Sequence, residues 1–269
     1  MRDYKDLILQ ALSEDLGAAG DITSNAIFPH SHRSKARIIA REKGILSGMD
    51  IAAEVLETAP LVTDGTPIQK GDVLLEINAQ TKFILSHERV ALNYLQHLSG
   101  IATETAKYVE AAKDYPAKIT CTRKTLPNMR ALQKKAVRDG GGTNHRFGLY
   151  DAVMIKDNHI AACDGNINEA ISRVKANVEE GIRIEVEVDT LEQLSTILDS
   201  NIEVVLLDNM SPDMVSQAII MIDGRFETEA SGGITLERIE EFAKTGVNYI
   251  SIGALTHSVK ALDIGLDFE

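Results

Sequence analysis

The residues best suited to chemistry in this 269-residue chain gather between positions 123 and 159. Three glycines, Gly140, Gly141 and Gly142, lead into His145 and Arg146, and an apolar run at 152–155 then ends in Lys156, Asp157, Asn158 and His159. Glycine permits turns closed to other residues and lets backbone approach a ligand. A glycine loop, a His-Arg pair and a lysine at a strand end therefore predict an anion site. Charge agrees: from Arg123 to Lys156 eight Lys or Arg face two Asp, a local net of +6, whereas the chain is -12 and its remainder -18. An acidic protein with a confined basic pocket concentrates small anions without binding nucleic acid broadly.

Arg123, Arg146 and the distant Arg89 suit planar carboxylates, because a guanidinium donates two parallel hydrogen bonds. Any one of them alone reads equally as a surface charge, Arg89 most of all. Arg130, Lys134, Lys135 and Arg138 read as the solvated face of a helix. His145 is a candidate donor to a substrate carboxylate or a proton-transfer group, while His87 and His159 are given no role. Glu187 and Asp208 suit the few-carboxylate, water-rich coordination of magnesium, or ion pairing with Lys124 and Lys156. Ser231, Gly232 and Gly233 precede a helix starting near Thr235, where backbone N–H groups can meet a phosphate; Gly253 and Ala254 follow the last strand.

These residues need a scaffold that brings them together. Apolar, strand-like runs at 118–122, 152–155, 184–188, 203–207, 227–230 and 249–252 alternate with helical patterns at 129–137, 167–178, 191–198, 213–222 and 236–244. Thr190 with Gln193 fits a capping box, and Ser211-Pro212 places a cap before a first-turn proline. Apolar strands separated by helices predict a parallel sheet, and a barrel built from it would collect active residues at the strands' carboxyl ends. All six such ends are polar or glycine-rich. The amino-terminal part reads as mixed α/β: a helix from Asp3 to Leu16, a turn at 20–24, a strand pair at 34–46 around Lys43-Gly44, a helix at 52–61, a strand at 72–77 and a helix at 86–108 that Gly100 could break.

Composition narrows the class. With 44% hydrophobic residues the chain can bury a core in one or two domains. Its apolar runs are too short for a membrane span and the opening MRDYKD lacks a signal peptide's apolar core, so a cytoplasmic protein with no membrane and no nucleic-acid partner is expected. Cys121 and Cys163 make neither a disulfide framework nor a zinc knuckle, and Cys121 reads as a buried thiol.

Six segments, in order, resemble the quinolinate phosphoribosyltransferase family of type II phosphoribosyltransferases: EDLGAAGDITS at 14–24, HERVALNYLQHLSGIAT at 87–103, TRKT at 122–125, EVEV at 185–188, LLDN at 206–209 and SGGI at 231–234, besides the glycine loop itself. The resemblance implies a mixed α/β amino-terminal sandwich domain (1–110) followed by an incomplete α/β barrel (111–269), the last residues being able to return to the first domain and a further strand lying hidden near Phe147. It implies transfer of phosphoribosyl from phosphoribosyl pyrophosphate to quinolinate, with decarboxylation, in NAD synthesis. The implied quinolinate ligands are Arg89, Arg123, Lys124, His145, Arg146 and Lys156, with Arg89 supplied by the other subunit of a homodimer or higher oligomer. Lys124, Lys156, Glu187 and Asp208 would be catalytic, Glu187 and Asp208 would hold Mg2+, and Ser231, Gly232, Gly233, Gly253 and Ala254 would take phosphate. After TRKT the family's Thr-Pro-Gly is replaced by Leu126, Pro127 and Asn128, where asparagine can still accept left-handed geometry. Competing readings are a same-fold paralogue of the molybdenum-associated group, a class I aldolase using Lys156 as a Schiff base, and a non-enzymatic nucleotide-binding module.

Overall fold

The computed structural model describes residues 4–269. The chain forms two compact units: residues up to Ala106 with Ala131–Gly141 and Ser258–Glu269 make the first, and Lys107–Arg130 with Gly142–His257 make the second.

The first unit opens with helix α1 (Lys5–Leu16), which ends at Gly17; the predicted start at Asp3 lies outside the described residues. Where the sequence suggested only a turn, Asp21 accepts the Ser24 N–H at 2.9 Å and caps a short helix α2 (Ile22–Ile27). Strands β1 (Arg33–Ala40) and β2 (Gly44–Ile45), helix α3 (Met49–Val55), strands β3 (Pro67–Ile68) and β4 (Val73–Gln80) and the long helix α4 (Thr81–Ala112) follow. The expected strand pair around Lys43-Gly44 is not a hairpin. Instead β1 lies between β4 and the chain's last strand, Ile264–Phe268, both antiparallel, and β2 pairs with β3. Alternation reports which face of a strand is buried but carries no information about its partner.

Gly100 does not break α4. A Cβ there would fall 2.2 Å from the Lys260 carbonyl oxygen, so the glycine makes room for the chain's carboxyl-terminal segment. Helix α5 (Arg130–Asp139) overturns the solvated-face expectation at three of its four basic residues: half-buried Arg130 donates to the Phe147 carbonyl oxygen at 3.0 Å, Lys134 is buried, and Lys135 lies 2.5 Å from Asp64 and 2.9 Å from Asp139. Burial works against the Lys135 ammonium, but these two ion pairs outweigh it and hold its pKa above the usual lysine value. Of the three glycines after α5, Gly140 packs where a Cβ would meet the Ala102 carbonyl oxygen at 2.3 Å, and Gly141 takes φ +86° as the helix ends. Both serve the helix end, the common use of glycine there.

The second unit is the predicted strand-helix alternation. Strands β5 (Lys118–Thr120), β6 (Val153–Ile155), β7 (Ile184–Val188), β8 (Val204–Asp208), β9 (Glu227–Ser231) and β10 (Tyr249–Ser251) form one parallel sheet in the order β5-β10-β9-β8-β7-β6, and Ile264–Phe268 of the first unit is β11. Helices α6 (Asp157–Ala161), α7 (Ile167–Asn177), α8 (Leu191–Ile197), α9 (Pro212–Ile222), α10 (Ile239–Ala243, entered through a 3-10 turn) and α11 (Ala254–His257) connect them. Both predicted caps are present: Thr190 accepts the Gln193 N–H at 3.1 Å and Ser211 accepts that of Met214 at 3.3 Å.

Between the two edge strands, β5 and β6, the barrel stays incomplete: the two do not pair, and no further strand lies between them among the described residues. Thr143 donates its N–H to the Ile119 oxygen at 2.8 Å and bridges Thr120, and Arg146 Nη1 reaches the Ala152 oxygen at 2.9 Å. The hidden strand expected near Phe147 is thus a single bridge four residues earlier. Strand alternation sorts the rest. Ile155, Val186, Val188, Val205, Leu207, Ala230, Ile250 and Ile252 belong to the apolar core, whereas the alternate positions Glu185, Glu187, Leu206, Asp208, Glu229, Ser231 and Ser251 line cavities of the barrel.

Candidate active site

At the carboxyl ends of the strands a cavity of about 390 Å³ opens, lined wholly by residues of the second unit. The chain leaving β5 supplies Arg123 and Lys124, the segment between α5 and β6 supplies His145 and Arg146, and β6 ends in Lys156. From β7, β8 and β9 come Glu187, Asp208 and Ser231. Eight of the residues selected from sequence, from six places in the chain, thus line one cavity, while Gly253 after β10 does not.

The cations are arranged for an anion. The buried Nε–H groups of Arg123 and Arg146 have no hydrogen-bond partner among the described residues, a costly condition unless a ligand supplies acceptors. Burial, with the charge of Arg123 beside it, makes the Arg146 guanidinium less basic than usual, while Glu185 and Asp151 oppose that shift. Lys124 is exposed, and its backbone oxygen accepts from Thr256 Oγ1 at 2.8 Å. Asn128 takes φ +62°, so the asparagine in place of the family's glycine does adopt the left-handed turn.

Carboxylates line the same cavity. Glu187 Oε2 lies 2.8 Å from Lys156 Nζ. Burial raises the Glu187 pKa above the ordinary range and the charges of Asp208 and Asp157 add to it, against the hydrogen bond and charge of Lys156. Glu187, Asp208 and Asp189 place carboxylate oxygens within 4.8 Å of one another. Asp189, missed by sequence reading, is raised by burial and then by Asp208 and Asp157. An all-oxygen, multiply charged donor set of this kind fits a hard divalent cation.

Ser231 lines the cavity, and Gly232 and Gly233 follow it with φ of +97° and +59°. A Cβ on Gly232 would fall 2.2 Å from Asn209 Oδ1, so the tight turn there requires glycine. Gly253 and Ala254 follow neighbouring β10, with a Gly253 Cβ position 3.2 Å from the Lys124 side chain; neither pair of residues lines the cavity itself. Arg89 is exposed on α4 in the first unit and is not among the cavity's lining residues. His159 Nδ1 accepts the Lys156 N–H at 3.0 Å, which caps α6, and His87 packs on Phe83 at 4.2 Å between ring centroids. Cys121 is buried, as expected, with its Sγ 3.2 Å from Asn144 Oδ1.

His145 faces inward as predicted, but its contacts differ from a simple ligand role. Its Nδ1 accepts the Arg146 N–H at 2.8 Å, which leaves the hydrogen on Nε2, 2.9 Å from Glu185 Oε2 and 3.5 Å from Glu229 Oε1. Glu185, Glu229 and Ser251 were not singled out from sequence. The signal was present as period-two spacing: EVEVD aligns Glu185, Glu187 and Asp189, and ETEAS aligns Glu227, Glu229 and Ser231.

An incomplete parallel α/β barrel with a basic anion pocket facing a carboxylate cluster is the architecture of a phosphoribosyl-transferring enzyme class. The chain belongs to the quinolinate phosphoribosyltransferase family: residues 21–99 match the model of its amino-terminal domain and 101–267 that of its carboxyl-terminal domain. Among its relatives, nicotinate-nucleotide pyrophosphorylase [carboxylating] of Mycobacterium leprae (strain TN) is 45% identical over 98% of this chain and 96% of its own. Quinolinate phosphoribosyltransferase [decarboxylating] 2b, mitochondrial, of Nicotiana tabacum is 42% identical over 99% of this chain and 82% of its own. The crystal structure of nicotinate-nucleotide pyrophosphorylase from Ehrlichia chaffeensis superposes with a TM-score of 0.96 at 38% identity, covering all of both chains. No helix among the described residues is long and apolar enough to cross a membrane.

Proposed function

We propose that this chain transfers the phosphoribosyl group of phosphoribosyl pyrophosphate to quinolinate and releases carbon dioxide and pyrophosphate, forming nicotinate mononucleotide for NAD synthesis. The observation that carries the reading is the pair of buried, unpartnered Nε–H groups of Arg123 and Arg146 in a cavity that the Lys156–Glu187 pair and Asp208 also line. That polarity suits an acceptor with two carboxylates on one side and a ribosyl cation on the other.

Arg123, Arg146 and Lys124, with Lys156, hold the dicarboxylate so that its ring nitrogen faces the anomeric carbon, a positioning contribution that can be large. As pyrophosphate leaves, positive charge grows on the ribose, and the carboxylates of Glu187 and Asp208 stabilise it electrostatically. The pyridine nitrogen attacks; the resulting pyridinium stabilises the carbanion left on the adjacent ring carbon when its carboxylate departs as carbon dioxide, and a proton from water at that carbon completes nicotinate mononucleotide. No protein nucleophile is needed, so the Schiff-base reading of Lys156 falls away. Glu187 and Asp208, with Asp189 beside them, would hold Mg2+, which would offset the charge of the pyrophosphate. The 5-phosphate would lie on Ser231, Gly232 and Gly233, with Gly253 and Ala254 adjacent. Incubation with quinolinate, phosphoribosyl pyrophosphate and magnesium should yield nicotinate mononucleotide, and absence of that product with folded protein would sink the reading.

The working assembly is a homodimer in the cytoplasm, a compartment consistent with two unbridged cysteines. Exposed Arg89 of each subunit serves the partner's barrel. Arg89→Ala and Lys156→Ala homodimers are then each inactive, while random mixing by co-expression places both lesions in one site of the heterodimer and leaves the other intact, restoring about a quarter of wild-type activity. Verified heterodimers as inactive as their parents would remove Arg89 from the shared site.

A further inference from the structure

Beneath the proposed site a second cavity of about 340 Å³ opens at the amino ends of the strands, and His145, Arg146 and Glu229 line both cavities. The partition between them is a buried cluster. His145 directs Nε2 at Glu185 Oε2 (2.9 Å) and Glu229 Oε1 (3.5 Å), Ser251 Oγ donates to Glu229, and Glu185 Oε1 is buried with no hydrogen-bond partner. Glu185 stands two residues before Glu187 on β7 and Glu229 two before Ser231 on β9, so the cluster shares rigid strands with the site above it.

Two carboxylates converging on one imidazole in a buried space cannot both be ionised cheaply, because burial penalises each charge and the two like charges repel with little water to screen them. From this geometry we infer that Glu185 and Glu229 are positioning residues of the acceptor site: Glu185 fixes the His145 ring by accepting its Nε2–H, and Glu229 holds a proton that limits the barrel floor to one negative charge. The inference rests on the quinolinate reading above. A second negative charge on the floor would weaken the pull of Arg123, Arg146 and Lys156 on a dicarboxylate, so Glu229 sets acceptor affinity without touching the acceptor's reacting atoms.

The groups facing Glu229 are Glu185 on β7, His145 and Arg146 on the segment before β6, Ser251 on β10, apolar Leu206 on β8, and Arg183 ahead of β7. Burial, with the charge of Glu185 next, raises the Glu229 carboxyl to about 7; His145, Ser251 and Arg183 oppose this. The proton is therefore lost within the range where the enzyme can be assayed.

The test is the quinolinate KM from pH 6 to 8.5, with phosphoribosyl pyrophosphate and magnesium saturating, for the wild type and Glu229→Gln. Wild-type KM should rise roughly 5–10-fold across pH 7, as expected for one added charge at partly screened distance, while kcat changes less. Glu229→Gln, a neutral isostere, should keep the low-pH KM throughout. A flat wild-type profile overturns the inference without needing any variant, and so does a rise that survives in Glu229→Gln. Quinolinate that neither binds to nor reacts with the wild type overturns the functional reading as well, whereas a normal turnover with a flat profile overturns only this one.

Discussion

Two acidic clusters meet on β7, where Glu185 stands two residues before Glu187, and they behave differently. At the mouth, Glu187, Asp189 and Asp208 face Lys156, whose side chain is 42% exposed; at the floor, Glu185 and Glu229 face His145, whose side chain is 11% exposed. The chemistry of the groups is nearly the same. Water makes the difference: mouth charges can exchange partners with an incoming metal or substrate, while floor charges must be satisfied permanently, by a fixed hydrogen bond and a retained proton. On the proposed reading, catalytic and positioning roles separate by depth in the barrel.

The sharpest way to break this comparison is Lys156→Ala, which should lower kcat/KM by about 10²–10³-fold with the fold intact, since it removes a cation from the mouth and leaves Glu187 unpaired. A loss under tenfold would make the mouth as much a structural cluster as the floor. Next, Glu187→Ala and Asp208→Ala should lower kcat by about 10–100-fold while quinolinate binding, titrated directly, stays within about threefold; an equal loss of binding would move both residues to the acceptor side.

The floor should show itself in stability. The Glu229 carboxyl is raised from 4.5 to about 7, so the folded state binds a proton more tightly than the unfolded chain does. Its contribution is fully present below pH 4.5 and is lost as pH rises through about 7, on the order of 3 kcal/mol. Urea unfolding across that window should show the decline, and Glu229→Gln should flatten it; an unchanged slope would show that the floor holds no such proton. The smallest effect expected is that of Asp189→Asn. It is exposed, so its loss should raise the magnesium needed for half-maximal rate by only about 2–5-fold. A larger shift would make it a full member of the ligand set.

The sequence alone determined the strand-helix alternation of the barrel, its six strands, the two helix caps and the polar strand ends, because period and end chemistry are local properties read from a few neighbouring residues. It also marked eight of the residues that line the mouth, most through their place at the ends of apolar runs and His145 and Arg146 through the glycines before them. The tertiary structure decided partnership. Lys134 and Lys135 look like solvated charges until the fold buries one and surrounds the other with Asp64 and Asp139. Gly100 looks like a helix breaker until Lys260 passes over it, and β1 finds its partners in β4 and β11, the latter more than 220 residues away. Glu185 and Glu229 look like ordinary strand charges, since nothing in a one-dimensional pattern says that residues 44 apart converge on one imidazole. Burial and long-range proximity are properties of the folded barrel, and they turn otherwise similar carboxylates into two different kinds of site.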